Sequence, residues 1–183
     1  MQIISGKWRG RKLHLPPNAR PTQNKARIAL FNILTPLIDS SRPFVVWDAF
    51  AGSGAFGLEF MSRYDNAEVI FTDKSLESFK VIGKNSRDSF VRMEMTDTLK
   101  AINRHGARAD IIFIDPPYAD ANLGAEFVKK TAPLLKPGAI IIWEMDKNFT
   151  PDELPKNLKI IKDKTYSRAR FLFLSIPPTI KFS

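Results

Sequence analysis

FVVWDAFAGSGAFGLEF, residues 44–60, decides how the rest of the chain is read. Four apolar residues run into Asp48, a glycine-punctuated loop follows, and a second apolar pattern with helical spacing begins at Gly54. That succession predicts a buried strand over 44–48 and a helix over 54–64. Gly52, Gly54 and Gly57 formally spell G-x-G-x-x-G between strand and helix, and Asp73 lies 21 residues beyond Gly52. A tight turn opening a helix is a seat for a polar or anionic ligand, because the first helical N–H groups lack partners. Glycines that only make the turn would look the same, so the motif alone leaves the ligand open.

Working outward, the same alternation recurs. AEVIFTD (67–73), FVRMEM (90–95), ADIIFID (109–115) and GAIIIWEM (138–145) predict strands. Helices are expected over 75–85, over 97–105 and around 122–135. Near-continuous apolar strands separated by helices indicate a parallel sheet covered on both faces. LKIIKDK (158–164) and RARFLFLSI (168–176) are too close in sequence for a parallel crossover and predict an antiparallel hairpin. The expected fold is therefore α/β: a Rossmann-like, mostly parallel seven-stranded sheet with an antiparallel C-terminal hairpin. Upstream, QIISGKWRGRKLHL (2–15) predicts a small β-hairpin around a basic turn. Thr22 is expected to cap a helix presenting Ala26, Leu30, Ile33, Leu34, Leu37 and Ile38, which Pro36 ends or kinks.

A chain of 183 residues suits one domain, 1–183, made of a basic hairpin extension (1–20) and a catalytic core (21–183). No apolar run approaches the roughly 20 residues that span a bilayer. There is no cysteine, which excludes disulfides and thiolate metal sites and makes a reducing, cytoplasmic home the expectation. His14 and His105 are the only histidines, and no metal is expected. A monomer is expected.

Lys and Arg exceed Asp and Glu by 28 to 19, with a pI near 9.9. The surplus is concentrated before the first acidic residue, Asp39, in Lys7, Arg9, Arg11, Lys12, Arg20, Lys25 and Arg27. Such an arm suits a polyphosphate backbone, where affinity comes from neutralised phosphates and released counterions. Lys7, Arg9, Arg11, Lys12, Lys25 and Arg27 are the candidate RNA contacts. Trp8 joins them as either a stacking platform or a hairpin anchor. The late run KDKTYSRAR (162–170) extends the cationic surface or is a wet turn, and the wet turn is preferred.

NAD calls for a second mononucleotide half, whereas here the fifth strand is followed by a hairpin. A mononucleoside cofactor such as S-adenosylmethionine fits a single half better. Asp73 would then take the ribose hydroxyls, and Asp97 the adenine amine while also capping the helix at 97.

IIFIDPPYAD, residues 111–120, supplies the chemistry. In open α/β sheets ligands bind beyond the carboxyl ends of the strands, where strand order reverses, so the loops after strands one and four share a crevice. An exocyclic amine is a poor nucleophile until its lone pair is turned on the electrophile. The Asp115 carboxylate and the Pro116 carbonyl can take its two N–H bonds. Pro117 biases Pro116 toward an extended backbone, and Tyr118 offers a face for an extruded base. A strand stop with a buried tyrosine is the bland alternative.

Taken together, WDAFAGSGAFGLEFMSR, IDPPY, IISGKWRGRKL and RPTQNKARIALFN resemble the RsmD family of bacterial enzymes, which methylate the N2 amine of a guanine in small-subunit ribosomal RNA. The resemblance spans almost the whole chain. It implies a class I S-adenosylmethionine-dependent methyltransferase fold and 16S rRNA, in the small subunit or its assembly intermediate, as partner. It also implies a cofactor loop of Asp48, Phe50, Ala51, Gly52, Ser53 and Gly54, an adenosine contact set of Asp73, Lys74, Asp97 and Thr98, and a catalytic tetrapeptide Asp115–Tyr118. Arg20, Pro21 and Thr22 fall where the family closes over the cofactor.

Three positions depart from the family. Phe71 stands where an acid usually precedes Asp73, Gln23 and Asn24 replace Thr and Asp, and Ser167 replaces a frequent glycine. Glu144 closes strand five, where a solvated strand end is expected. Three other functions compete: N6-adenine methylation, a non-catalytic ribosome-assembly factor and an NAD-dependent oxidoreductase. The short chain, the intact Asp115 and the missing second half-site weigh against them in turn.

Overall fold

The computed structural model describes residues 1–17, 24–87, 89–117 and 120–177. Its strands are β1 Phe44–Asp48, β2 Ala67–Asp73, β3 Arg92–Met95, β4 Ile111–Ile114, β5 Ile140–Asp146, β6 Lys159–Tyr166 and β7 Ala169–Ser175. The helices between and before them are α1 Asn24–Leu34, α2 Ala55–Arg63, α3 Leu76–Ser86, α4 Thr98–His105 and α5 Ala121–Thr131. The strands form one seven-stranded sheet in the order β3-β2-β1-β4-β5-β7-β6. β1 pairs in parallel with both β2 and β4, β4 pairs in parallel with β5, and β7 runs antiparallel between β5 and β6. Strand order therefore reverses at β1/β4, where a ligand crevice belongs. Among the described residues, no helix is long and apolar enough to cross a membrane.

Alternation along each strand sorts side chains to two faces. Val46, Phe113, Ile142, Phe171 and Phe173 pack with Leu30 and Phe31 of α1 and Phe60 of α2 on one face. Trp47, Ile112, Ile141, Trp143 and Leu172 pack with Phe127 and Val128 of α5 on the other. Both tryptophans are fully buried, as their place in apolar runs predicts.

Two elements differ from expectation. α1 buries Ala26, Arg27, Leu30, Phe31 and Leu34, a face rotated from the predicted one. Leu37 is exposed because Pro36 ends α1 in a 3₁₀ turn over Thr35–Leu37. The N-terminal hairpin is shorter than expected: around one antiparallel bridge, Gln2 to Lys12, Ile3 N–H donates to the Arg11 carbonyl at 2.9 Å, Gly10 N–H to the Ile3 carbonyl at 2.9 Å and Leu13 N–H to the Met1 carbonyl at 3.0 Å. The remaining N–H groups turn to α2: Ile4 and Ser5 donate to the Glu59 carboxylate at 2.8 and 3.0 Å, and Lys7 N donates to the Ser62 carbonyl at 2.8 Å. Gly6 is required at this seam, because its φ is +81° and a Cβ would lie 1.9 Å from the Ser62 oxygen. The basic segment is thus sewn to α2.

Candidate active site

The carboxyl ends of β1, β2, β4 and β5 open into one cavity of about 1040 Å³. On one side it is lined by Asp48, Phe50, Ala51, Gly52, Ser53, Asp73, Lys74, Asp97 and Thr98. On the other it is lined by Asp115, Pro116, Pro117 and Glu144, with Tyr166, Ser167 and Arg168 of the β6–β7 turn at its edge. The candidate cofactor loop and the candidate catalytic segment therefore face the same space.

The loop is held by its own acids. Gly52 N–H donates to Asp73 Oδ2 at 2.8 Å and Ser75 N–H to Asp73 Oδ1 at 2.8 Å, so Asp73 ties the glycine turn to the end of β2. Gly52 has φ +53°, and a Cβ there would meet only the Phe50 carbonyl at 4.0 Å, which leaves the space above the turn open. Gly54 lies outside the cavity lining; it starts α2 and packs on Ile82 and Phe71. Asp97 accepts from Leu99 N–H at 2.9 Å as the cap of α4, and it remains exposed to the cavity. The Thr98 hydroxyl donates to the Ala49 carbonyl at 2.7 Å, so that residue braces the end of β1. Asn85, which the sequence does not single out, donates to the Ser53 carbonyl at 2.8 Å and clasps the backbone of His14.

Asp48 is buried. Its Oδ2 accepts from Gly57 N–H at 3.0 Å, while among the described residues Oδ1 has no hydrogen-bond partner. Burial pushes its carboxyl well above the usual carboxylate range, and the nearby Asp115 and Asp73 charges add to the rise. A buried acceptor left open on a cavity wall fits a cationic ammonium such as that of S-adenosylmethionine. The residues present therefore suit that cofactor: Asp48 for its ammonium, Gly52 and Ser53 along its chain, Asp73 and Asp97 for ribose and adenine.

Asp115 follows β4 directly and is partly buried, and burial pushes its carboxyl up to about 7. Pro116 is buried and Pro117 exposed. Beneath them Phe113 stacks on Phe56 at 4.0 Å between ring centres, a rigid floor joining β4 to α2. Arg20, Thr22 and Tyr118 lie outside the described residues.

Several sequence expectations are corrected. Arg27, expected on RNA, is 5% exposed. It bonds Glu59 at 3.1 Å, the Gln2 carbonyl at 3.0 Å and the Ala55 carbonyl at 3.3 Å, so it is a buried tie and cannot reach a phosphate backbone. Trp8 is half-buried against the core with the Arg11 guanidinium 4.3 Å from its ring centre, which makes it an anchor. Lys7, Arg9, Lys12 and Lys25 are all exposed, and Lys7 pairs with Asp65 at 2.6 Å. Glu144 is no solvated strand end: it is 3% exposed and lines the cavity. The preferred wet turn at 166–169 forms part of the cavity edge. Ser167 there has φ +57°, a conformation glycine adopts without strain, which accounts for the family's glycine. Phe71 is 1% exposed and packs under the start of α2, where a Cβ on Gly57 would lie 2.3 Å from its ring. It fills core rather than a second acidic site.

Glu59 is the largest omission. At 0% exposure it accepts from Ile4, Ser5, Arg27 and Arg63, joining the N-terminal segment, α1 and α2. A lone acid within the apolar run FGLEFM is the signal that marks it.

A sheet ordered 3-2-1-4-5-7-6 with an antiparallel seventh strand, and a glycine turn facing an acid after β4, defines a class I methyltransferase fold. The chain matches the family described as Conserved hypothetical protein 95 over residues 1–175. It is 35% identical over 171 residues to Ribosomal RNA small subunit methyltransferase D of Buchnera aphidicola subsp. Acyrthosiphon pisum, covering 90% of this chain and 83% of that protein. Identity to the Escherichia coli K12 protein of the same name is 36% over 122 residues, 64% of this chain and 60% of that protein's length. The solved structure of Escherichia coli yhhF superposes with a TM-score of 0.79 at 28% identity, covering 98% of this chain and 99% of that one. The chain belongs to this family, the RsmD family.

Proposed function

We propose that this protein transfers a methyl group from S-adenosylmethionine to the exocyclic N2 amine of a guanine in small-subunit ribosomal RNA. The observation that carries the proposal is the single cavity lined by both the Asp48–Ser53 turn and the Asp115–Pro117 segment. S-adenosylmethionine supplies an electrophilic methyl group on a sulfonium sulfur. The protein's part is positioning. Asp115 accepts one amine N–H and the Pro116 carbonyl the other, which turns the nitrogen lone pair toward the cofactor side. As the new N–C bond forms and the methyl–sulfur bond breaks, its electron pair stays on sulfur as the thioether of S-adenosylhomocysteine; positive charge develops on nitrogen beside the Asp115 carboxylate, which stabilises it and receives the proton. A carboxyl near 7 is matched to that exchange at neutral pH. The names of the relatives support rRNA of the small subunit as substrate.

The test is incubation of unmethylated small ribosomal particles and of protein-free rRNA with labelled S-adenosylmethionine, followed by nucleoside analysis. The expected product is N2-methylguanosine at one position. Label in N6-methyladenosine, or none in RNA, would contradict the proposal.

A further inference from the structure

We infer that Glu144 is the base-recognition residue of this site: its carboxylate accepts the guanine N1–H while Asp115 holds the neighbouring N2 amine. The inference rests on the guanine-N2 function proposed above.

β4 and β5 pair in parallel with Ile114 opposite Trp143. Asp115 is the first residue after β4 and Glu144 the next residue of β5, so extending that register by one position sets Asp115 beside Glu144, with neighbouring strands about 4.8 Å apart. Both are on the same face of the sheet: Phe113 and Ile142, two positions before them, share the first core cluster, whereas Ile114 and Trp143 belong to the second. Both line the cavity, and Glu144 also lies with Pro116 and Pro117 in a small adjoining recess. Two carboxylates are therefore side by side where the base must sit.

A buried carboxylate needs a reason. The Arg27 guanidinium, fixed by Glu59 and two backbone carbonyls, is close enough for Glu144 to act on its charge. A carboxylate has about four acceptor positions, so contacts on one side leave others for a ligand.

Guanine presents two adjacent kinds of donor on its Watson–Crick edge, N2–H and N1–H. Adenine presents a donor, N6–H, beside an acceptor, N1. An acid clamp alone takes either amine, but a second acid beside it meets N1–H in guanine and a lone pair in adenine. Sites built to bond an N–H reject analogues lacking it far more strongly than apolar pockets reject a missing methyl. Extruded bases are read on this edge.

The experiment uses the intact protein and particles carrying guanine or 2-aminopurine at the methylated position. 2-Aminopurine keeps the N2 amine and lacks N1–H. The wild type should favour guanine at least tenfold in kcat/KM. In Glu144→Ala that preference should fall toward one, with the S-adenosylmethionine Kd within about twofold of wild type, an outcome that simple loss of packing does not produce. Should Glu144→Ala not fold, Glu144→Gln serves in its place, and the wild-type ratio stands independently. Equal wild-type rates on the two bases, or an undiminished preference in the variant, would overturn the inference. Wild-type failure on guanine particles would instead overturn the function on which it rests.

Discussion

A carboxyl near 7 at Asp115 ties turnover and stability to pH in opposite senses. The folded chain keeps that proton where the unfolded chain, with an ordinary aspartate near 4, has lost it. Stability from this group is therefore fully present below about pH 4 and lost as pH rises through 7, by roughly 2–4 kcal/mol in all. Asp115→Asn should lower turnover at least a hundredfold. The same change should raise the melting temperature at pH 8 and leave it nearly unchanged at pH 4, as calorimetry would record. In the wild type, kcat/KM should climb with pH through about 7, since only the ionised carboxyl accepts both a hydrogen bond and a proton. A flat profile from 5 to 9 would rule out Asp115 as that group. At this scale the sequence was legible for the placement of Asp48, Asp73, Asp97 and Asp115, which each end a strand or open a helix and line the cavity. Glu144 was harder to see: a strand-end acid looks solvated until the cavity it lines and the nearby Arg27 charge are known.

Elements were legible where hydrophobic period spoke alone and obscure where a polar group replaced a strand bond. Five of the seven strands follow from apolar runs, β2 occupying the whole of AEVIFTD, whereas β3 and β6, RMEM and KIIKDKTY, are more polar and largely exposed edge strands. The N-terminal hairpin forms only as a short one, because N–H groups of Ile4, Ser5, Lys7 and Trp8 go to Glu59 and Ser62, partners 54 to 55 residues away that no local pattern reveals. Glu59→Gln should accordingly cost about 3–5 kcal/mol in denaturant unfolding, since it leaves Arg27 buried without its counter-charge. It should also expose residues 1–13 to early hydrogen exchange. Phe71→Glu is expected to destabilise the fold strongly rather than tighten cofactor binding, because the new charge would lie under α2 among Val69, Ile82 and Phe56. Calorimetry and cofactor titration of that variant separate the two effects.

For the molecule as a whole, positive charge and cavity must cooperate on one large anionic partner. Arg27 drops out of the cationic surface by burial and Lys7 is paired with Asp65, so the N-terminal share falls to other exposed residues, among them Arg9 and Lys12. Replacing both with Gln should weaken RNA binding uniformly and flatten the slope of log K against log salt by about one to two. Replacement of Arg27 should act through unfolding instead. The central claim is that the β1 and β4 loops bring a methyl donor and a clamped purine amine together. Its most direct measurement is a crystal structure of the protein with S-adenosylhomocysteine and a guanine nucleotide. The predicted result places the base amine within about 3.2 Å of both the Asp115 carboxylate and the Pro116 carbonyl, on the side facing the sulfur. A base seated more than about 10 Å from Asp115, far beyond reacting distance, would contradict the account.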